Sequence, residues 1–549
     1  MNFMANESAQ KLRGGYYTPD DLAAFLCQWV MEIGPKRVLE PSCGDGVFFG
    51  ALRSAGAPPK ISVTGFELDE VEAAKARGRA KDSGLRSAEV HATDFLGWAL
   101  EHLGSDGGEF DAVVGNPPFV RYQYLPAPFQ IKAEQVFREL ALPFTKHTNA
   151  WVPFILASMK LLRPGGRLAM VVPAEIVHVM HAQALRSYLG RQCRRLVIID
   201  PEKLWFAGTL QGAVLLLAEK RRDENDKAQG LGIYEVKDRE FLSEKAASIF
   251  EAPQAINGKT VAGKWTRALL DAETRDLFDE LAEHSEVHRF SDVADVDVGI
   301  VTGANKFFLV GDNVVNEYGL QKWAHPMFGR SEHCPGIIYD ADQHAQNAKA
   351  GNPTNFLWFA DGAPLKNKRA KAYIETGEAD SLHTRYKCRI RSPWYVVPSV
   401  YSTEIGMLKR SHDLPRLILN QIGAYTTDTA YRIRVLNGAS ADALVGCFIN
   451  GLTALSAELE GRHYGGGVLE LVPSEIEKLM LPMPAKAKID LKKLDSEIRE
   501  SSPRQALESN SRAVLGALGL SRAKQERLMN GWWRLRNRRH RVSDEPRPE

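Results

Sequence analysis

The segment Asn116-Pro117-Pro118-Phe119 carries the most specific chemistry in this 549-residue chain. Proline has no N–H and holds φ at about −65°, so the double proline makes a rigid turn whose carbonyl acceptors are fixed in direction. A planar exocyclic amine has two N–H donors to satisfy. The Asn116 side-chain oxygen and one backbone carbonyl of the Pro117-Pro118 turn would accept both. That draws the nitrogen lone pair out of conjugation and presents it to an electrophile such as a methyl donor. Acceptors fixed in advance stabilise the charge developing on nitrogen, so no strong base is needed. Phe119 adds a flat apolar face for a stacked base. A base inside a duplex is out of reach, so such a site works by flipping it out, at a cost on the order of a few kcal/mol that stacking partly offsets.

A second group of residues suits a positively charged ligand. The apolar run 37–39 leads into Glu40-Pro41-Ser42-Cys43-Gly44-Asp45-Gly46, and helical residues begin near Phe48. Glycines between a first strand and a first helix let backbone approach a ligand closely. The spacing is not the G-x-G-x-x-G of dinucleotide sites, so no pyrophosphate need be held. Glu40, at the start of the turn, fits a cation such as a sulfonium carrying an amino acid. Two further acids close the next two strands. Glu67, in Gly65-Phe66-Glu67-Leu68-Asp69, is placed to accept from ribose hydroxyls; Asp94, in Thr93-Asp94-Phe95, can accept from an adenine amine with Phe95 against the ring. Each acid alone reads as readily as a solvated strand end. Together they outline an adenosine pocket on the carboxyl edge of a sheet.

These residues need a scaffold that gathers strand ends. Apolar runs at 37–39, 61–66, 88–91, 110–114, 166–172, 196–199 and 213–218 alternate with helical segments, the pattern of a parallel α/β fold. The runs lack polar alternation, which suits strands covered on both faces of a doubly wound, mostly parallel sheet. Ahead of them, 19–33 has helical spacing, with Thr18 as N-cap and Pro19 at the first helical position. The polar break 220–227 is expected to end a catalytic domain of residues 1–222. After it come a connecting segment, 223–284, a mixed α+β domain, 285–485, rich in short β-like runs, and a charged helical segment, 486–549.

Composition sets outer limits on these readings. Hydrophobic residues at 44% and charged residues at 25% supply ordinary globular cores. No apolar run approaches the roughly 18–20 residues that span a bilayer, and the first ten residues lack a basic region followed by an apolar run, so a cytoplasmic protein without membrane contact is expected. The six cysteines are scattered, with no Cys-x-x-Cys pair and no histidines at metal-ligand spacing, so they read as reduced thiols with no metal site. A net charge of +2 leaves any affinity for a polyanion to local basic patches.

On these motifs the chain resembles the TaqI-like gamma class of N6-adenine DNA methyltransferases, specifically over about residues 14–220 and more loosely to about 485. The resemblance implies a Rossmann-like class I methyltransferase sheet of seven strands, S-adenosyl-L-methionine as cofactor, and methyl transfer to N6 of a flipped adenine in double-stranded DNA. Arg13-Gly14-Gly15-Tyr16-Tyr17-Thr18-Pro19 looks like the family's N-terminal cofactor motif. By that likeness Thr18 binds the cofactor's amino-acid end with Glu40, Ser42, Gly44 and Gly46 beside it. Glu67 takes the ribose, and Asp94, Phe95 and Phe154 the adenine. One departure concerns the second aromatic wall of the flipped-base pocket. The matching stretch, Gln211-Gly212-Ala213-Val214-Leu215-Leu216-Leu217, offers only Leu217, with Trp205 or Phe206 as substitutes or as core residues.

Farther along, Asp297-Val298-Gly299-Ile300-Val301-Thr302-Gly303-Ala304-Asn305-Lys306-Phe307-Phe308 is similar to the opening of the family's target-recognition domain, and Tyr464-Gly465-Gly466-Gly467-Val468-Leu469-Glu470-Leu471-Val472-Pro473 to its closing segment. Between them Arg385, Lys387, Arg389 and Arg391 alternate with other residues. On a strand that alternation puts cations on one face, for phosphates or guanine edges, or simply for solvent. Residues 522–541 hold eight Lys or Arg against one Glu, with Trp532-Trp533 inside: a grip on DNA backbone, or a solvated tail.

The motif alone says that a planar amine is methylated. RNA base methyltransferases, protein glutamine methyltransferases and a DNA-binding subunit that has lost catalysis are therefore alternatives. About 13 residues precede the first cofactor motif and about 330 follow the core, a layout that favours a reader of duplex sites. The short N-terminal stretch has no room for a fused nuclease, so a cognate restriction endonuclease is expected as a separate protein.

Overall fold

A computed structural model describes residues 17–104, 108–203, 205, 212–360, 363–464 and 466–540. The chain divides between Leu270 and Asp271 into two compact units.

In the first unit eight strands form one sheet: β1 (Arg37–Glu40), β2 (Ser62–Glu67), β3 (Ser87–Ala92), β4 (Phe110–Gly115), β5 (Leu162–Pro173), β6 (Cys193–Pro201), β7 (Ala213–Lys220) and β8 (Gly230–Val236). Their order is β3-β2-β1-β4-β5-β7-β6-β8. Only β7 runs antiparallel to its neighbours, β5 and β6. The doubly wound, mostly parallel arrangement therefore holds, with one strand more than the expected seven. The eighth comes from the stretch read as a connector and pairs with β6 from Arg195↔Gly230 to Pro201↔Val236. Its glycines disguise it, and packing requires both: Gly230, at φ +107, lies against the Ile256 backbone, and a Cβ on Gly232 would lie 2.7 Å from Pro253 Cγ.

Apolar runs without alternation arise because both faces are buried. Ala112 and Val114 of β4 join one core while Phe110 and Val113 join the other; in β5, Ala169 and Val171 oppose Leu168, Met170 and Val172. Helices α1 (Asp20–Met31), α2 (Val47–Ser54) and α3 (Glu70–Asp82) seal the first face. Helices α4 (Phe95–His102), α5 (Ala127–Glu139), α6 (Trp151–Leu161) and α7 (Gln183–Gln192) seal the second. Strand order reverses between β1 and β4, so their carboxyl ends flank a crevice where ligands bind in open α/β sheets.

The second unit is mixed α+β. Its main sheet runs Ala294–Val298, Ala430–Val435, Ile405–Leu408, Leu417–Asn420, Ile338–Tyr339. The last helix, Arg522–His540, is not a free solvated tail, because Leu528, Trp532 and Leu535 are fully buried. Several of its cations face acids. Arg539 donates to both oxygens of Glu458 at 3.0 and 2.7 Å, Arg536 to Asp413 at 3.1 Å, and Lys524 to Glu280 at 2.7 Å. All six cysteines are buried and none is in a disulfide. Among the described residues no single helix is long and apolar enough to cross a membrane, and no cluster of His, Cys, Asp or Glu could hold a metal ion.

Candidate active site

At the crevice, β1 ends on Glu40 and β4 runs directly into Asn116. Glu40 is fully buried, and neither carboxylate oxygen has a hydrogen-bond partner among the described residues. Burial, then the nearby charges of Asp45 and Glu67, hold its carboxyl well above the ordinary range. The turn beyond it is built from glycines that need their freedom. Gly44 has φ +51 and donates its N–H to Glu67 Oε2 at 3.0 Å, while Glu67 Oε1 accepts from Asp69 N at 3.0 Å. Gly46 has φ +85, and a Cβ there would lie 2.7 Å from the Ala76 Cα, so the turn sits flush on α3. Asp45 pairs with Arg79 at 2.9 Å.

The Asn116 amide nitrogen donates to Thr18 Oγ1 at 3.2 Å, and Ser42 Oγ donates to the Asn116 backbone carbonyl at 2.9 Å. Thr18 therefore does not cap α1, whose N-cap is Pro19 with no side-chain hydrogen bond. Its hydroxyl is turned to the asparagine instead. The chain beyond the motif is also tied down. Ala150 N donates to the Val120 carbonyl at 2.9 Å, and Asn149 accepts from Tyr122 N at 3.3 Å while donating to Glu175 at 2.8 Å. Phe119 is partly buried against the first-face core.

The expected adenine end is more closed. Asp94 caps α4, accepting from Leu96 N at 3.1 Å and Gly97 N at 3.3 Å, and pairs with Lys132 Nζ at 2.7 Å. Lys132 lies on α5 and carries no local sequence signal, because only packing of α5 against α4 brings it there. Phe95 and Phe154 meet at 5.2 Å and are 2% and 6% exposed, so little of either ring is open to a ligand. Phe129 of α5 stacks near-parallel on Phe154 at 6.2 Å.

The wall candidates resolve differently. Leu217 pairs with Ala169 in mid-sheet and is fully buried, because β7 is antiparallel and its beginning, not its end, lies at the carboxyl edge. It cannot face a flipped base. Trp205 is a core residue, 8% exposed and stacked on Phe241 at 5.9 Å. Phe206, Gln211 and the motif residues Arg13 to Tyr16 lie outside the described residues.

In the second unit the alternating cations are not on a strand. The segment forms a tight turn, Leu382–Thr384, then a short helix, Tyr386–Arg389. Strand alternation would put Tyr386 and Cys388 on one face. Here Cys388 is buried under Thr302 while Tyr386 is 63% exposed. Arg385, Lys387 and Arg389 are exposed, whereas Arg391 donates to the carbonyls of Thr302 at 2.7 Å and Val301 at 2.6 Å. The Asp297 to Phe308 stretch contributes the rest of the edge strand Ala294–Val298 and the helical turn Asn305–Phe308. The closing stretch contributes a hairpin partner, Val468–Glu470, to Arg462–Tyr464.

Residues 1–303 match the family described as N-6 DNA Methylase, and residues 262–515 match the C-terminal domain of the type II methyltransferase M.Eco57I. The chain is 23% identical over 481 residues to the type II methyltransferase M.AccI of Acinetobacter calcoaceticus, covering 85% of this chain and 84% of that protein. It is 22% identical over 489 residues to M.XamI of Xanthomonas campestris pv. amaranthicola, covering 85% of each. Over 215 residues, 38% of this chain and 45% of the relative, it is 30% identical to M.TthHB8I of Thermus thermophilus.

Proposed function

Because this chain belongs to the N-6 DNA methylase family, we propose that it transfers a methyl group from S-adenosyl-L-methionine to N6 of an adenine flipped out of double-stranded DNA. Site-specific modification within a restriction-modification system, beside a separate endonuclease, is the accompanying role. The observation carrying this reading is one crevice that joins a buried, unpaired carboxylate, Glu40, to an Asn-Pro-Pro-Phe turn whose amide nitrogen is already committed to Thr18.

The residues fit the cofactor. An unpartnered buried carboxylate with two further acids nearby suits a ligand bearing a sulfonium and an ammonium group, and the Gly44-Asp45-Gly46 turn allows backbone to approach it. S-Adenosyl-L-methionine supplies an electrophilic methyl group when bound. Glu40 would hold its positive end, Glu67 the ribose, and Asp94 with Phe95 and Phe154 the adenine.

The chain's own residues then set the amine. Thr18 orients the Asn116 amide so that its oxygen takes the acceptor role. Ser42 donates to the Asn116 backbone carbonyl and braces the turn, and a backbone carbonyl of Pro117-Pro118 takes the second acceptor role. Both acceptors are fixed before the base arrives, so little reorganisation opposes the charge that builds on nitrogen. Phe119 stacks on the base. Asn116→Ala should lower methyl transfer to duplex DNA by at least about a hundredfold, the effect of removing one preorganised group, with cofactor affinity within a few-fold of the parent. Full activity in that variant would sink the proposal. Expression in a methylation-free host followed by single-molecule sequencing should reveal N6-methyladenine at one recurring sequence.

A further inference from the structure

The segment 381–391 contains His383, Arg385, Lys387, Arg389 and Arg391 and no acidic residue. Its base is locked. Leu382 and Cys388 are buried, and Arg391 is spent on the carbonyls of Val301 and Thr302. Gly303, at φ +80, lets the segment lie against the loop before it, for a Cβ there would meet the Lys387 Cβ at 2.7 Å. Beyond Arg391 the chain enters the core at Trp394, 5.1 Å from Phe307.

On this fixed base the helical turn and the residue that ends it display two exposed apolar side chains, Tyr386 and Ile390, 63% and 62% exposed. Lys387 Nζ and Arg389 Cζ each lie 5.6 Å from the Tyr386 ring. Three exposed cations ask for a polyanion. Phosphates alone, however, leave a tyrosine and an isoleucine in water, whereas nucleic acid offers apolar base faces and sugars a few ångströms from its phosphates.

We propose that residues 385–390 form a DNA-reading tip, with Arg385, Lys387 and Arg389 on phosphates and Tyr386 and Ile390 against bases in the groove. This rests on the methyltransferase reading above and adds the element that couples backbone grip to base contact. Arg391 is assigned a different role: it holds the tip to the second unit and touches no phosphate.

The test uses the full chain, fluorescein-labelled duplexes and binding across a salt series. Each phosphate contact contributes about 0.9 to the slope of log affinity against log salt. Replacing Arg385, Lys387 and Arg389 together by alanine should make the slope shallower by about 2.7 and weaken a mixed-sequence duplex and a site-bearing duplex alike. Tyr386→Ala with Ile390→Ser should leave the slope unchanged and shrink the preference for the methylated site over a scrambled duplex by about tenfold, the scale of a lost base contact. Circular dichroism melts matching the parent would show both variants folded. A parental slope in the triple variant, or parental site preference in the double variant, overturns the tip. If the parent methylates duplex DNA and the variants match it, the tip alone falls. If the parent binds no duplex and methylates an RNA or protein amine, the functional reading falls and the tip with it.

Discussion

Glu40 and Glu458 are both fully buried glutamates, and their neighbours make them opposites. Glu458 accepts from Arg539 at 3.0 and 2.7 Å and lies 3.3 Å from His463 Nε2, and the Arg539 charge, with hydrogen bonds from both side chains, outweighs burial to hold its carboxyl at about 2. Its stabilising contribution is therefore present above the ordinary glutamate range and lost as pH falls through the lowered value. Glu458→Gln leaves the Arg539 charge buried without its counter-ion and should cost about 3–5 kcal/mol in urea denaturation at pH 7. The gap to the parent should close as both are acidified towards pH 2; a gap that persists there would contradict the assignment. Glu40 has no counter-charge, and its carboxyl is raised. Its folded form binds a proton more readily than its unfolded form, so apo stability falls as pH rises from the ordinary range towards that raised value. Glu40→Gln should then melt no higher than the parent at pH 4 and a few degrees higher at pH 8, while calorimetry shows at least about tenfold weaker cofactor binding, the cost of about one lost charge contact. A lower melt at pH 8 would mean that the carboxylate is paired after all.

At the scale of elements, legibility follows how local the cause is. Six of the seven expected strands sit where the apolar runs placed them because two-sided burial writes itself into each separately, while the edge strand β3 alternates exposed and half-buried residues instead. The eighth does not, since Gly230 and Gly232 answer to the chain crossing at Ile256 and Pro253, more than twenty residues on. The basic segment 385–391 alternates in sequence, yet Ser381 at φ +57 and the burial of Cys388 make it a turn. The final helix reads as a tail because its cations are visible in sequence and their acidic partners, Glu458, Asp413 and Glu280, are scattered. Of the candidate site, the glycine turn, Glu40, Glu67 and Asn116 could be read locally. The Lys132 contact to Asp94 and the Thr18 contact to Asn116 could not. The turn makes its own prediction: Gly46→Ala forces a left-handed alanine into the Ala76 backbone, which should lower the melting free energy by at least about 2 kcal/mol and weaken cofactor binding. A variant melting with the parent would show that α3 can recede from the turn.

For the whole molecule the question is where it can be cut. The polar break at 220–227 invites a boundary near residue 225, but β6 would then lose its outer neighbour and the chain that braces it. Arg195 of β6 donates to the carbonyls of Phe250 at 2.8 Å, Glu251 at 3.1 Å and Pro253 at 2.7 Å, Phe250 packs on Trp29 of α1 at 4.8 Å, and Trp265 is fully buried in the second-face core. A chain ending at 225 would present a long apolar strand edge and strip Phe250 and Trp265 from the two cores, both of which favour aggregation over folding. The chain ending at 270 keeps every one of those contacts. It should be soluble, melt cooperatively and bind S-adenosyl-L-methionine with an affinity close to the parent's, while residues 1–225 should be recovered only in the insoluble fraction. Any methylation by residues 1–270, read by sequencing, should be weak and scattered over adenines, because the tip at 385–390 and the sheet that carries it are gone. Parental site selectivity in that fragment would place sequence reading within the first unit and remove the second from the role proposed for it.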